Sequence, residues 1–308
     1  MASGFTLAVD VGGTKIAYGL IDKGLRVKQS WIIRNEKLEL KHLADRISNE
    51  VEKYTSNFPI DCVAIDVPGI VDCNGKVVWA PNLAGSQDFD LSGYIEERNG
   101  IRSFVIDDRS AAVIGEHQSH RCDNMVVIIL GTGIGAGIIA DGDILNLRRA
   151  TAGSIGWNIS SVRYGSNSKI GNLEELISGQ ALDNALLTNL AKNNSKKELT
   201  SNQHSLSLHR NIFDFYNLKE KWAVDLVNRT VSRLEIQMVN IVNLLMPELI
   251  ILNGSLGLEI GGHFMGKIEK TVKLRCQPYA SKNLVIKKSD LGANAFLIGS
   301  AAYALSLM

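Results

Sequence analysis

Two copies of one short pattern, 118 residues apart (Gly13 to Gly131), constrain this chain more than any other feature. Near the N-terminus FTLAVDV and IAYGLID flank a GGTK turn, and VVIILGTGIGAGIIADGD repeats that shape later. In the first copy Phe5, Leu7 and Val9 alternate with Thr6, Ala8 and Asp10, the period-two pattern of a strand with one buried face. Sliding one copy over the other aligns Gly13 with Gly131, Thr14 with Thr132, Ile16 with Ile134 and Gly19 with Gly137. Four identities at one offset predict two related domains, each opening with a strand, a Gly-Thr turn and a second strand.

Between the copies the pattern predicts a helix near 37–54, then strands at CVAIDVPG, KVVWAP and RSFVIDD, an alternation that indicates an α/β domain. Beyond the second copy, AKNNSKKELTSNQHS has almost no large apolar residue and reads as an exposed insertion. Val227, Val231, Leu234, Met238, Ile241 and Leu245 then step by three and four, predicting a long amphipathic helix that Pro247 ends ahead of a strand at LIILNG. A last helix near 291–306 is expected to pack back on the first domain. The division expected is therefore 1–112 plus 291–308 for a smaller N-terminal domain and 113–290 for a larger one.

Composition excludes several classes. With 45% hydrophobic and 21% charged residues the chain has the makings of a core. A net charge of +1 gives no global field toward nucleic acid or an anionic membrane. The N-terminus lacks the features of a signal peptide and no apolar run reaches ~18 residues, so a cytoplasmic protein with no membrane partner is expected. Cys62, Cys73, Cys122 and Cys276 lie far apart with no CxxC pair, which fits reduced, mostly buried thiols rather than a metal knuckle.

The chemistry concentrates in the turns. In DVGGTK, glycines let backbone N–H groups approach an anion, Thr14 adds a hydroxyl, and Asp10 at the strand end can hold a hydrated Mg²⁺. Neither turn is a Walker A loop, and GTGIGAG departs from GxGxxG at Ala136. Paired phosphate turns suggest a nucleotide gripped across a cleft. At the end of RSFVIDD, Asp107 and Asp108 offer a candidate general base, one of the two being open to the alternative reading of a helix N-cap.

These residues resemble the ROK group of sugar kinases, within the actin, Hsp70 and hexokinase superfamily. The resemblance runs through DVGGTK, DVPGIVD, APNL, the acidic pair at 107–108 with GE at 115–116, LGTGIGAGI, LEELISGQAL, VNLLMPELIILNG and FLIGSAA. It implies a two-lobed α/β fold, like ribonuclease H and actin, with duplicated domains around a cleft. It further implies ATP and Mg²⁺ as cofactors, with Asp108 as catalytic base and Asp10 holding Mg²⁺ through water. Gly12, Gly13, Thr14, Lys15, Gly131, Thr132, Gly133 and Gly254 would contact the nucleotide. Gly69, Asn82, Asp107, Ser154, Trp157 and Glu174 would line the sugar pocket, in a homodimer or homotetramer.

Departures from the family pattern bear on the substrate. Where typical members carry Glu-x-Gly-His, this chain has Ser154, Ile155, Gly156 and Trp157; where zinc cysteines would stand it has Gly165, Asn167 and Asn172, so no structural zinc is expected. The usual asparagine before the catalytic aspartate is Asp107. Loss of the family glutamate, with Arg109, Arg148, Arg149 and Arg163 nearby, favours a sugar acid, specifically 2-keto-3-deoxygluconate, because a guanidinium binds a carboxylate bidentately. N-acetylmannosamine, N-acetylglucosamine and glucose are the alternatives. A non-catalytic sugar-sensing protein is the reading from a different class; the family's repressors carry a helix-turn-helix ahead of the first turn, which here begins about ten residues in, and no nucleic-acid partner is expected.

Overall fold

The computed structural model describes residues 4–35, 39–72, 74–80, 83, 88–160, 170–192 and 211–308. Its contacts divide the chain into two compact units: Met1–Cys122, Gly137–Gly153 and Leu291–Met308 form the first, and Asp123–Ala136 and Ser154–Asp290 the second.

Unit one is built on β1 (Phe5–Val11), β2 (Lys15–Ile21), β3 (Val27–Arg34), β4 (Ile60–Val67) and β7 (Ser103–Asp107), in the order β3-β2-β1-β4-β7. The first three strands are antiparallel neighbours, while β1, β4 and β7 run parallel. A small pair, β5 (Ile70–Val71) and β6 (Val77–Trp79), follows β4. Alternation along the central strands gives the sheet two unlike faces. Leu7, Val9, Val63, Ile65 and Val67 pack with Leu43, Ile47 and Val51 of α1 (Leu40–Thr55) and with Leu91 and Ile95 of α2 (Leu91–Asn99). Each such side chain contributes roughly 1.5–3 kcal/mol on burial.

The opposite face carries small residues. Ala8 and Ala17 meet Leu297 and Ala301 of α10 (Asn294–Ser306), and Cys62 and Ala64 meet Ala304. Because side chains two apart share a face, Asp10 and Asp66 belong to this thin-walled side. Helix α3 (Asp108–His120) crosses α10 at backbone contact: a Cβ on Gly115 would collide with Ala295 O, and one on Gly299 with Ala111 O.

The second sheet takes β8 (Met125–Leu130), β9 (Ile134–Ala140), β10 (Asp143–Ile144), β11 (Leu249–Asn253) and β12 (Val285–Lys288) in the order β10-β9-β8-β11-β12. Replacing each strand by its counterpart reproduces the first order, so the repeat read from the two hairpins extends to five strands. The unit boundary falls inside β9, and β10 with α4 (Leu145–Arg148) belongs to unit one. Unit two adds α5 (Asn172–Ile177), α6 (Gly179–Lys192), α7 (Asn211–Asn217), α8 (Lys221–Leu245) and α9 (Ser255–Arg275). Helix α8 buries Val227, Val231, Leu234, Met238 and Ile241, as its spacing predicts, and stops where Met246 turns left-handed (φ 45°) ahead of Pro247. Most of the polar stretch near 191–205 lies outside the described residues, as does Cys73; Cys62, Cys122 and Cys276 are free thiols. No helix among the described residues is long and apolar enough to cross a membrane.

Candidate active site

Unit one gathers three carboxyl groups where its parallel strands end. Asp10 and Asp66 are register partners on β1 and β4, and Asp108 opens α3 directly after β7. Asp66 is fully buried; its Oδ2 accepts from Ser300 Oγ at 2.7 Å, and its Oδ1 has no donor. Burial, the Asp10 charge and, more weakly, Asp108 push its pKa well up. Asp10 is also raised by burial, against lowering by its contact with Asp66 and by the Lys15 charge. For Asp108 burial dominates and raises the pKa to about 7, with Arg109 pulling down and Asp107 and Asp10 pushing up. Asp10 and Asp108 keep intermediate exposure, so both remain accessible from the site.

The Asp107–Asp108 ambiguity has a geometric answer. Asp107 is the N-cap of α3: Oδ1 accepts from Ser110 N at 3.2 Å and from Arg109 Nε at 3.0 Å, and Oδ2 accepts from Ser110 Oγ at 2.5 Å. Both oxygens of a residue expected in the sugar pocket are thus engaged inside the fold. Arg109 calls for a correction to the carboxylate-binding expectation. It is 7% exposed, and its guanidinium donates to Asp107, to Ala152 O at 3.0 Å, to Gly69 O at 3.1 Å and to Ala150 O at 2.8 Å. Its fork is filled by acceptors that sequence spacing does not reveal. Arg148 pairs with Asp143 on the surface, and Arg163 lies outside the described residues.

The first Gly-Thr turn closes on itself, with Gly12 N donating to Lys15 O at 2.8 Å. Its carbonyl side is fastened by Asn35, a buried residue that sequence reading missed: Nδ2 donates to Gly12 O at 2.7 Å and the backbone N to Thr14 O at 3.0 Å. Gly13, Thr14 and Lys15 stay partly exposed. Gly69 adopts φ 154°, and a Cβ there would collide with Trp79 O, so only glycine fits.

In unit two, Gly131 N donates to Gly133 O at 3.0 Å, while Gly131 O and Thr132 O accept from Gly179 N (2.7 Å) and Gln180 N (3.3 Å) at the start of α6. Glu174 lies against this turn, its Oε2 accepting from Ile134 N at 2.9 Å; burial raises its pKa, offset in part by that bond. A Cβ on Gly133 would come within 2.8 Å of the same oxygen. Gly254, with φ 83°, opens α9 against Leu130 O, so a second helix N-terminus adjoins the end of β8. Ser154 precedes a 3₁₀ turn, Ile155–Trp157, in which Gly156 packs on Ile134 and Trp157 is 46% exposed. Asn82, Tyr164, Gly165 and Asn167 lie outside the described residues; Asn172 accepts from Ser160 N at 2.8 Å.

The donor chemistry fits an Mg²⁺ ion. Asp10 and Asp108 present hard carboxylate oxygens whose ionisation burial opposes, a cost that a neighbouring cation offsets. Among the described residues no three His, Cys, Asp or Glu side chains form a metal cage. Mg²⁺ does not require one, because it keeps several waters and takes one or two carboxylates beside phosphate oxygens.

Known proteins agree with this architecture. A glucokinase from Halalkalibacterium halodurans is 24% identical over 313 residues, covering 97% of this chain and 94% of its own. An N-acetylmannosamine kinase from Salmonella newport is 29% identical over 193 residues, 60% of this chain and 65% of its own. The crystal structure of a ROK family glucokinase from Streptomyces griseus, in complex with glucose and AMPPNP, superposes with a TM-score of 0.82 at 25% identity, covering 98% of this chain and all of the other. The ROK family profile matches residues 6–306, and the chain belongs to that family, with its actin-like α/β fold.

Proposed function

We propose that this chain is an ATP- and Mg²⁺-dependent sugar kinase of the cytoplasm. The observation that carries the proposal is the state of Asp108: partly exposed, at the start of α3, and held with a pKa of about 7 beside Asp10. A general base is most effective with its pKa near the working pH. In this reading Asp108 accepts the proton of a primary sugar hydroxyl while that oxygen bonds to the γ-phosphorus and the bond to the ADP oxygen breaks. Lys15 and the backbone of Gly12, Gly13 and Thr14, together with Gly131, Thr132, Gly133 and Gly254, hold phosphate and nucleotide groups. Bound with the nucleotide, Mg²⁺ supplies charge neutralisation, with Asp10 holding it through water.

On the acceptor, Arg109 supports a neutral hexose or N-acetylhexosamine over 2-keto-3-deoxygluconate, since this buried arginine already serves four acceptors. Gly69, Asn82, Ser154, Trp157 and Glu174 are proposed to face the sugar, with Asp107 acting through α3 and Arg109. The test is an ADP-release assay across glucose, N-acetylmannosamine, N-acetylglucosamine and 2-keto-3-deoxygluconate. A neutral sugar used at least tenfold better by kcat/KM supports the proposal, and a tenfold preference for the acid restores the sugar-acid reading. No turnover with any of them overturns the kinase reading. Light scattering tests the accompanying proposal of a homodimer or homotetramer.

A further inference from the structure

A buried arginine needs an explanation, because its charge is lost from water unless partners replace the hydration. Arg109 is 7% exposed and Asp107 5%. Asp107 stands where the family pattern has a neutral asparagine, so this chain carries an extra negative charge directly before Asp108. The Nε bond at 3.0 Å neutralises that charge within unit one.

The rest of the guanidinium reaches two other segments. Nη2 serves Gly69 O and Ala150 O, and Nη1 serves Ala152 O. Ala152 O is also held by Asn146 Nδ2 at 2.8 Å, and Asn146 Oδ1 accepts from Ile138 N at 2.9 Å, which anchors the 150–152 turn on β9. One side chain therefore joins three parts of unit one: the start of α3 with Asp108, the Gly69 turn after β4, and the segment that leads to Ser154. In a trans peptide the N–H of the next residue points away from the carbonyl. Drawing the carbonyls of Ala150 and Ala152 onto Arg109 accordingly turns the N–H groups of Thr151 and Gly153 away from it. Backbone donors aimed in this way serve any oxygen acceptor, a sugar hydroxyl included.

We propose that Arg109 is the positioning residue of the acceptor side: its fork holds the Gly69 and 150–152 backbones in register with Asp108, so that a neutral sugar hydroxyl meets the base. Lysine keeps the charge but is a point donor and cannot span these acceptors, so Arg109→Lys separates the fork from its charge. This inference rests on the kinase reading.

The experiment compares wild type, Arg109→Lys and Arg109→Met on the best neutral sugar, with hydrogen exchange of the unliganded proteins as a second measurement. Both variants are expected to raise the sugar KM by about tenfold or more, the cost of a small misplacement, while the ATP KM stays within about threefold. Amide exchange should quicken at 66–72 and 149–153 and stay unchanged across β8, β11 and β12 of the second sheet. Added guanidinium should restore part of the sugar affinity of an Arg109→Ala protein, which general destabilisation would not allow. Variants with unchanged sugar KM and unchanged exchange would overturn the inference while leaving the kinase intact. A parallel rise in both KM values without guanidinium rescue would reduce Arg109 to a structural ion pair. Absence of wild-type turnover would overturn the kinase reading, and this inference with it.

Discussion

Asp10 and Asp66 stand side by side on neighbouring parallel strands with their carboxyl groups in contact, and Ser300 supplies the one hydrogen bond that reaches Asp66 from α10. Two acids facing each other on the alanine-lined side of a sheet cannot both ionise cheaply. The pair and Asp108 thus form a local concentration of unfavourable charge in an otherwise well-packed unit, the kind of strain that a cation-binding site retains for function.

Replacing Asp66 by asparagine is expected to stabilise the metal-free protein. An amide can accept from Ser300 and donate to Asp10, removing a buried oxygen without a donor, which typically costs about 1–3 kcal/mol. Burial raises the folded-state pKa of Asp66 above its unfolded value of 3.8, so the folded protein binds that proton more tightly. Stability from this group is therefore highest in acid and falls as pH rises from about 4 toward the folded pKa. Asp66→Asn should raise Tm at pH 8, with the gain shrinking toward pH 5. An unchanged or lower Tm at pH 8 would show that the pair carries no such cost.

The pH profile of turnover should report Asp108. A base with a pKa of about 7 is protonated below that pH, so kcat/KM is expected to drop roughly tenfold per unit as pH falls below about 7 in steady-state assays. Asp108→Asn should lower kcat by at least about two orders of magnitude and leave nucleotide affinity nearly unchanged in calorimetric titrations. A variant that retains more than a tenth of wild-type kcat would remove the base role from Asp108.

Asn35 makes a third, independent test, because it fastens the carbonyl side of the first Gly-Thr turn. Asn35→Ala deletes the bond to Gly12 O while keeping the backbone bond to Thr14 O. Loosening should raise the ATP KM several-fold and cost about 1 kcal/mol of stability, with the sugar KM little changed. Equal effects on the two KM values would show that Asn35 supports the unit generally rather than the turn.

Much of this organisation is legible in local sequence. Alternation located β1, short apolar runs located β2, β4, β7 and β11 to within a few residues, and the three-and-four spacing from Val227 to Leu245 located α8, because a strand or helix shows its apolar residues to a core. The hairpins aligned at one offset predicted two related domains, and the structure extends the likeness to one strand order in two five-stranded sheets. What tertiary structure alone decided is the use made of individual polar side chains. Asp107 or Asp108 was equally able to cap α3, and the choice depends on which carboxyl meets Ser110 and Arg109. Arg109 looked available to a ligand because its acceptors at Gly69, Ala150 and Ala152 are about forty residues away along the chain. Asn35 carried no motif, and Asp66 opens DVPGIVD with no role of its own legible there; their partners arrive through the β1–β2 turn and through α10 at the far end of the chain. Periodicity encodes which face a residue occupies, whereas a long polar side chain takes its role from the acceptors that the finished fold brings within about 3 Å.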